Sequence, residues 1–174
     1  MLSYAFTTLT PTQDDEIAAE EFDNIHNLFA AILAKGIGQQ LKQGLYREYL
    51  NRKEDMPVMR GKIDMPGTIK NKLARKQVLT CEYDELSENN LLNQILKTTV
   101  MLLIRHAKVD AEYKSDLKKE MLFFSAVDII EPASIKWSSI RFQRSNQCYR
   151  MLISLCQFVL EGMLLTTDQG EYKM

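Results

Sequence analysis

The chain has 174 residues, of which 45% are hydrophobic and 26% charged, with a formal net charge of −1, an ordinary balance for a soluble globular protein. That balance excludes global disorder, and a chain of this length buries about two-thirds of its unfolded surface without a disulfide or metal to hold it. The charge is unevenly spread: residues 1–34 hold six acids (Asp14, Asp15, Glu16, Glu20, Glu21, Asp23) and no Lys or Arg, whereas residues 35–76 hold eleven bases against Glu48, Glu54, Asp55 and Asp64. A basic middle attracts phosphate or an acidic protein surface, unless it is a solvated face that serves solubility.

Phe22, Ile25, Phe29, Ile32 and Leu33, widened by Leu28, predict a first helix, with the preceding acids favouring its amino end through the helix dipole. Gly36, Gly38 and Gly44 weaken or end it, which puts a break before Leu45. Pro57, Gly61, Pro66 and Gly67 then punctuate two segments, residues 58–63 and 78–83, that read as short strands. The basic run of residues 70–76 between them is expected as an exposed loop or ribbon tip. Ser87 reads as an N-cap with Glu88 in the first turn, followed by one helical face of Leu92, Ile95, Leu96, Thr99, Leu102, Leu103 and His106. Asp110 caps a helix carrying Tyr113, Leu117, Met121 and Phe124; Pro132 closes it, and residues 135–142 read as a strand. The last helix shows Tyr149, Leu152, Ile153, Cys156, Val159, Leu160 and Met163, flanked by Met151, Leu155 and Phe158, a stripe broad enough to be buried on more than one side. The expected class is α+β: a mainly helical core, a few short strands, and a projecting basic β-ribbon or loop within residues 56–83.

Catalytic signatures are absent from the sequence. No Gly-rich loop ends in Lys-Ser or Lys-Thr, so this chain is not itself a P-loop nucleotidase. Cys81, Cys148 and Cys156 form no C-x-x-C pair, which argues against a disulfide framework or a zinc site. His26 and His106 lie far apart in sequence and read as packing residues. Three acid-x-Lys triplets occur, Glu112-Tyr113-Lys114, Asp116-Leu117-Lys118 and Glu171-Tyr172-Lys173. On a strand such a pair would face one way and could hold a nuclease metal; in a helix it diverges by about 200°. The first two fall in a predicted helix and the third at the very end, so no catalytic or metal-binding residue is expected. The longest apolar run, residues 100–104, is far short of the roughly 20 residues that span a bilayer. The amino end lacks a charged leader with a long apolar core, and the expected location is cytoplasmic with no membrane partner.

Several blocks, in order, resemble the amino-terminal region of the McrC family, the partner subunit of McrBC modified-cytosine restriction systems. They are Met1-Leu2-Ser3-Tyr4-Ala5-Phe6, Gly44-Leu45-Tyr46-Arg47-Glu48-Tyr49, Arg60-Gly61-Lys62-Ile63, and Tyr83-Asp84-Glu85-Leu86-Ser87-Glu88-Asn89-Asn90 continuing to Asn93-Gln94-Ile95-Leu96-Lys97-Thr98-Thr99. Asn146-Gln147-Cys148-Tyr149-Arg150-Met151-Leu152 and Cys156 match a further block. The resemblance implies a region that binds and stimulates a hexameric McrB-like AAA+ GTPase, by an extension entering its channel, and meets DNA only through the complex. It also implies a carboxyl-terminal nuclease domain that is absent here, so that GTP and magnesium belong to the partner and to that domain, with no cofactor in this chain.

On that reading Arg60, Lys62, Lys70, Lys72, Arg75 and Lys76 are the expected partner-binding residues, against the single acid Asp64 in the same stretch. Asp84, Glu85, Asn89, Asn93, Lys97 and Thr98 surround a strand-to-helix junction, where they either fix the local backbone or touch the partner. The competing expectation is a stand-alone nucleic-acid-binding module whose basic segment grips phosphates.

Overall fold

The computed structural model describes residues 25–106 and 108–170, with only the helical backbone of residues 163–170. Phe22, the acids of residues 14–23, the Met1-Leu2-Ser3-Tyr4-Ala5-Phe6 block, the Glu171-Tyr172-Lys173 triplet and the side chain of Met163 lie outside the described residues. Those described form five α-helices and a three-stranded sheet: α1 Ile25–Gln43, β1 Glu48–Met56, β2 Lys62–Ile63, α2 Met65–Leu73, β3 Leu79–Ser87, α3 Leu91–Arg105, α4 Ala111–Met121 and α5 Tyr149–Gly170. The class is α+β and mainly helical, as the periodicity predicts. The chain divides into two compact units, one of residues up to Leu45 and from Leu91 onward, the other Tyr46–Asn90.

The helical unit is built on apolar stripes at three- and four-residue spacing. Phe29, Ala30, Leu33 and Ile37 of α1, Leu92, Ile95, Leu96, Val100 and Leu103 of α3, Leu117 of α4, and Tyr149, Leu152, Ile153, Cys156, Val159 and Leu160 of α5 are all buried. Their removal from water supplies the main stabilisation of this unit. The helix α1 runs through Gly36 and Gly38 and stops only before Gly44, whose φ is +89°. Gly36 has a packing reason: a Cβ there would overlap the side chain of Leu152, so the missing methyl lets α5 lie close. In α3 the buried Thr99 hydroxyl donates to the Ile95 carbonyl at 2.9 Å, which keeps a polar side chain satisfied in an apolar face. Burial of the Cys156 thiol pushes its pKa up to about 12, so it behaves as a small apolar side chain.

Three expectations for this unit are revised. Residues 135–142 form no strand; two 3₁₀ turns, Pro132–Ser134 and Trp137–Ser139, stand in that region. Ser134 and Ser139 donate from Oγ to the carbonyls of Glu131 and Lys136 at 2.6 and 2.7 Å, turning the backbone back on itself where a strand needs it extended. Asp110 holds the N-cap backbone position of α4 but makes no cap bond. Its carboxylate instead accepts from Asn27 Nδ2 at 2.7 Å while its N–H donates to Asn27 Oδ1 at 2.9 Å, a reciprocal tie between α1 and the start of α4. The α5 stripe is covered on two sides, as its breadth predicts: it packs against α3 and against α1, where Gly36 faces Leu152 and Phe29 meets the exposed Phe158 edge-on at 5.5 Å. Finally, His26 and His106 are neighbours: their rings stack at 4.2 Å with planes 13° apart. Desolvation first, then repulsion from Lys108 and (for His26) from His106, lowers both pKa values, so the pair stacks as neutral rings at neutral pH.

Two measurements check this packing. Leu152→Ala should cost about 2–5 kcal/mol in urea unfolding. Gly36→Ala should destabilise the wild type but be neutral or stabilising in the Leu152→Ala background, because the overlapping methyl groups are then gone. The second concerns Glu120 on α4, half-buried, with one carboxyl oxygen lacking a hydrogen-bond partner and a pKa pushed up to about 8 by desolvation and then by Asp116. A carboxyl raised above its unfolded value loses stability as pH rises from its ordinary 4.5 through about 8. Glu120→Gln should therefore melt with the wild type at pH 5 and above it at pH 8.5 or higher, by differential scanning calorimetry.

Candidate interaction site

The Tyr46–Asn90 unit is organised by β3. β1 pairs with it antiparallel along its whole length, from Glu48 opposite Ser87 to Met56 opposite Leu79, and β2 pairs on its other side, Lys62 opposite Glu82 and Ile63 opposite Cys81. Hydrophobic periodicity does not predict β1, because its residues Glu-Tyr-Leu-Asn-Arg-Lys-Glu-Asp-Met are mostly polar or charged and show no alternating apolar face. It is an edge strand, and edge strands rich in charge resist unwanted pairing. The cross-strand pairs are correspondingly ionic: Arg52 Nε lies 3.5 Å from Glu85, and Lys53 Nζ lies 2.9 Å from Asp64 and 3.5 Å from Glu82.

The predicted strand of residues 58–63 contracts to Lys62–Ile63, since Pro57 supplies no ladder donor and the chain turns through Gly61 at φ +68°. A Cβ at Gly61 would overlap the Glu82 carbonyl and Tyr83, so glycine is required where this segment crosses β3. The basic run of residues 70–76 is not simply a loop: its first part is the end of α2, Met65–Leu73. Asp64 caps this helix, its carboxylate accepting from the Gly67 N–H at 2.9 Å, and Pro66 sits in the first turn, where no N–H is missed. An Asp two residues ahead of a Pro is a helix-start signal that the Pro-Gly pair had disguised as a turn. After Ala74 the chain enters the left-handed region at Arg75, φ +58°. The N–H of Lys76 reaches the Asn71 carbonyl at 2.9 Å and that of Arg75 the Lys72 carbonyl at 3.0 Å, the two bonds of a Schellman cap.

The inner face of α2 is polar. Thr68 and Asn71 are its buried residues, and both bond to Thr80 of β3, also buried. Thr80 is the hub: its N–H donates to Thr68 Oγ1 at 3.1 Å, its hydroxyl accepts from Asn71 Nδ2 at 3.0 Å and donates to Asp55 Oδ1 at 2.6 Å. The Thr80 hydrogen bond, then that of Asn71, holds the Asp55 carboxyl below its ordinary pKa, and the bond from Lys53 does the same for Asp64. The outer face of α2 shows Met65, Ile69 and Leu73, the last 82% exposed, and Val58 and Met59 nearby in sequence are exposed too. This apolar exposure was not anticipated; the spacing of four between Met65, Ile69 and Leu73 would have shown the stripe once a helix was recognised.

The six expected partner-binding residues all fall in this unit, and all are exposed. Lys70 and Lys72 stand on α2, Arg75 and Lys76 in its cap, Lys62 on β2. Arg60 is held in place, its guanidinium carbon 4.0 Å above the centre of the Tyr83 ring, whose hydroxyl donates to Glu54 at 3.1 Å. The junction residues divide between the units. Asp84 accepts from Asn51 Nδ2 at 3.2 Å, Glu85 faces Arg52, and the Asn89 N–H donates to Ser87 Oγ at 3.1 Å. Ser87 is therefore the end of β3 and not an N-cap, and Glu88 binds Arg47 at 2.7 Å in place of a helix terminus. In the helical unit Asn93 is fully buried, Lys97 Nζ donates to the Phe124 and Val127 carbonyls at 2.9 and 2.6 Å, and Thr98 Oγ1 accepts from the Ile130 N–H at 3.1 Å. Lys97 and Thr98 thus pin the segment that follows α4. Among the described residues no group of His, Cys, Asp and Glu is placed to hold a metal ion, and no helix is long and apolar enough to cross a membrane.

Thr80→Val keeps the shape of the hub and removes its hydroxyl. Left with one partner fewer, Asn71 and Asp55 should raise the free energy of this unit by about 1–3 kcal/mol, read as faster amide exchange within residues 46–90 while the amides of α3 and α5 stay protected.

Among solved structures, a chain from the cryo-EM structure of the Thermococcus gammatolerans McrBC complex matches with TM-score 0.65 at 22% identity, over 89% of this chain and 45% of that one. A chain from the refined half-complex of the tetradecameric assembly of T. gammatolerans McrB AAA+ hexamers with bound McrC matches with TM-score 0.70 at 21% identity, over 88% of this chain and 39% of that one. At these identities the likeness is one of fold. The Escherichia coli K12 protein described as type IV methyl-directed restriction enzyme EcoKMcrBC is 23% identical over 173 residues, 99% of this chain; the chain spans about half (50%) of that relative's length. The family model described as McrBC 5-methylcytosine restriction system component matches residues 1–174, and the chain belongs to that family.

Proposed function

We propose that this chain is the amino-terminal region of a McrC-type subunit, which binds a McrB-like AAA+ GTPase ring, stimulates its GTP hydrolysis and couples it to an endonuclease domain of the full-length protein. The observation that carries this reading is the separate Tyr46–Asn90 unit, which gathers all six exposed bases singled out above into one compact excursion of the chain. Such a unit suits a docking arm, carried by residues 56–83, that meets carboxylates on another protein. The proposal gives this chain no catalytic role: GTP and magnesium belong to the ring and to the nuclease domain, DNA is reached through the complex, and the assembly works in the cytoplasm. The relative described as a methyl-directed restriction enzyme and the fold shared with chains of McrBC complexes support this reading.

The test is GTP turnover by the cognate McrB-like ring with and without this chain. Added chain should raise turnover several-fold, and Lys70→Glu, Lys72→Glu, Lys76→Glu together should abolish the increase while leaving the thermal melt unchanged, since all three side chains are exposed. Stimulation that survives the triple reversal contradicts the proposed arm. A DNA affinity that falls steeply with salt in the absence of any GTPase would instead identify a stand-alone nucleic-acid-binding module.

A further inference from the structure

The buried side chains of the unit Tyr46–Asn90 are mainly polar. Its buried positions are Thr68, Asn71, Thr80, Cys81 and Asn90, so only one apolar side chain is fully removed from water. Its exposed positions include Met65, Ile69 and Leu73 on α2 and Val58 and Met59 before it. Four residues correspond to roughly 40° on a helix of 3.6 residues per turn, so Met65, Ile69 and Leu73 form one stripe, with Lys72 on one flank and Lys70 on the other. Left to itself, an amphipathic helix turns such a stripe inward. Here the orientation is held by the Asp64 cap and by the bonds of Thr68 and Asn71 to Thr80 on the opposite face. The stripe is thus presented outward by a specific polar scaffold. Across residues 65–78 there are four bases and no acid.

A second observation concerns the cap of the same helix. Arg75 occupies the left-handed position of the Schellman turn, φ +58°, where glycine is the relaxed choice. The turn itself needs no arginine, and the side chain there is exposed.

From these observations we infer that the α2 stripe is the affinity-bearing contact of this unit, and that it docks on an apolar surface rimmed by carboxylates on the GTPase ring. Met65, Ile69 and Leu73 lose water there, while Lys70, Lys72 and Arg75 pair with the rim and set the approach. The inference rests on the proposed function for the identity of the ring; the chemistry of the occupant is argued from the stripe and its charge alone.

The experiment compares binding of the cognate ring by the full chain, by Ile69→Ser/Leu73→Ser, and by Arg75→Gly, at low and high salt, with thermal melts alongside. The serine variant should fold normally and bind about tenfold or more weakly at both salt concentrations, because apolar burial is insensitive to screening. The glycine variant should melt higher than the wild type yet bind more weakly at low salt, a split that a merely structural arginine would not produce. If the wild type binds and the serine variant matches it within twofold, the stripe inference is overturned and the proposed function stands. Absence of wild-type binding overturns both. Binding of the wild type, but not of the serine variant, to vesicles of phosphatidylcholine and phosphatidylglycerol more tightly than to the ring overturns the inference in favour of a lipid surface.

Discussion

The hydroxyl of Thr80 is the point on which the second unit turns. It accepts from Asn71 and donates to Asp55, while the Thr80 backbone binds Thr68. Those bonds fasten a nine-residue helix to a narrow sheet by its polar face. In a unit of this size there is little apolar surface to bury, and a helix this short is unstable in isolation. Hydrogen bonds with well-defined partners do here what a hydrophobic core does in the helical unit. The consequence is that the apolar and cationic side chains of α2 remain in solvent, available to another molecule.

The two units therefore rest on different physics. The helical unit buries conventional stripes of Leu, Ile and Val, admits α5 past Gly36, and satisfies its few interior polar groups locally, as Thr99 does with Ile95. The inserted unit relies on ion pairs between β1 and β3, on the Lys53–Asp64 bond and on the Thr80 hub. Its lowered Asp55 and Asp64 pKa values mean that its stability is in place above the ordinary carboxylate range and is lost as pH falls through the depressed values.

Much of this was legible in the sequence, and what was not has physical causes. Three- and four-residue spacing revealed α1, α3, α4 and α5, because those helices bury apolar faces against one another. The long pairing of β1 with β3 was invisible from composition, since a charged edge strand carries no alternation of apolar residues. The helix α2 was hidden by Pro66-Gly67, which suits both a turn and a first helical turn, and with it went the stripe at Met65, Ile69 and Leu73. The expected strand of residues 135–142 had β-branched and aromatic side chains, but Ser139 within it and Ser134 just ahead of it bend the backbone locally. Of the site residues, the bases could be picked out by charge. The fixing of Arg60 over Tyr83 and the placing of Lys97 on two carbonyls depend on contacts across more than twenty residues, which no local pattern carries.

The account stands or falls on where this chain meets the proposed GTPase ring. Hydrogen–deuterium exchange of the chain alone and in the reconstituted complex with nucleotide addresses that directly. Protection concentrated in residues 65–76, with the α3 and α5 amides unchanged, is the result the account requires. Protection confined to the helical unit, or none anywhere in a complex shown to form, would contradict it.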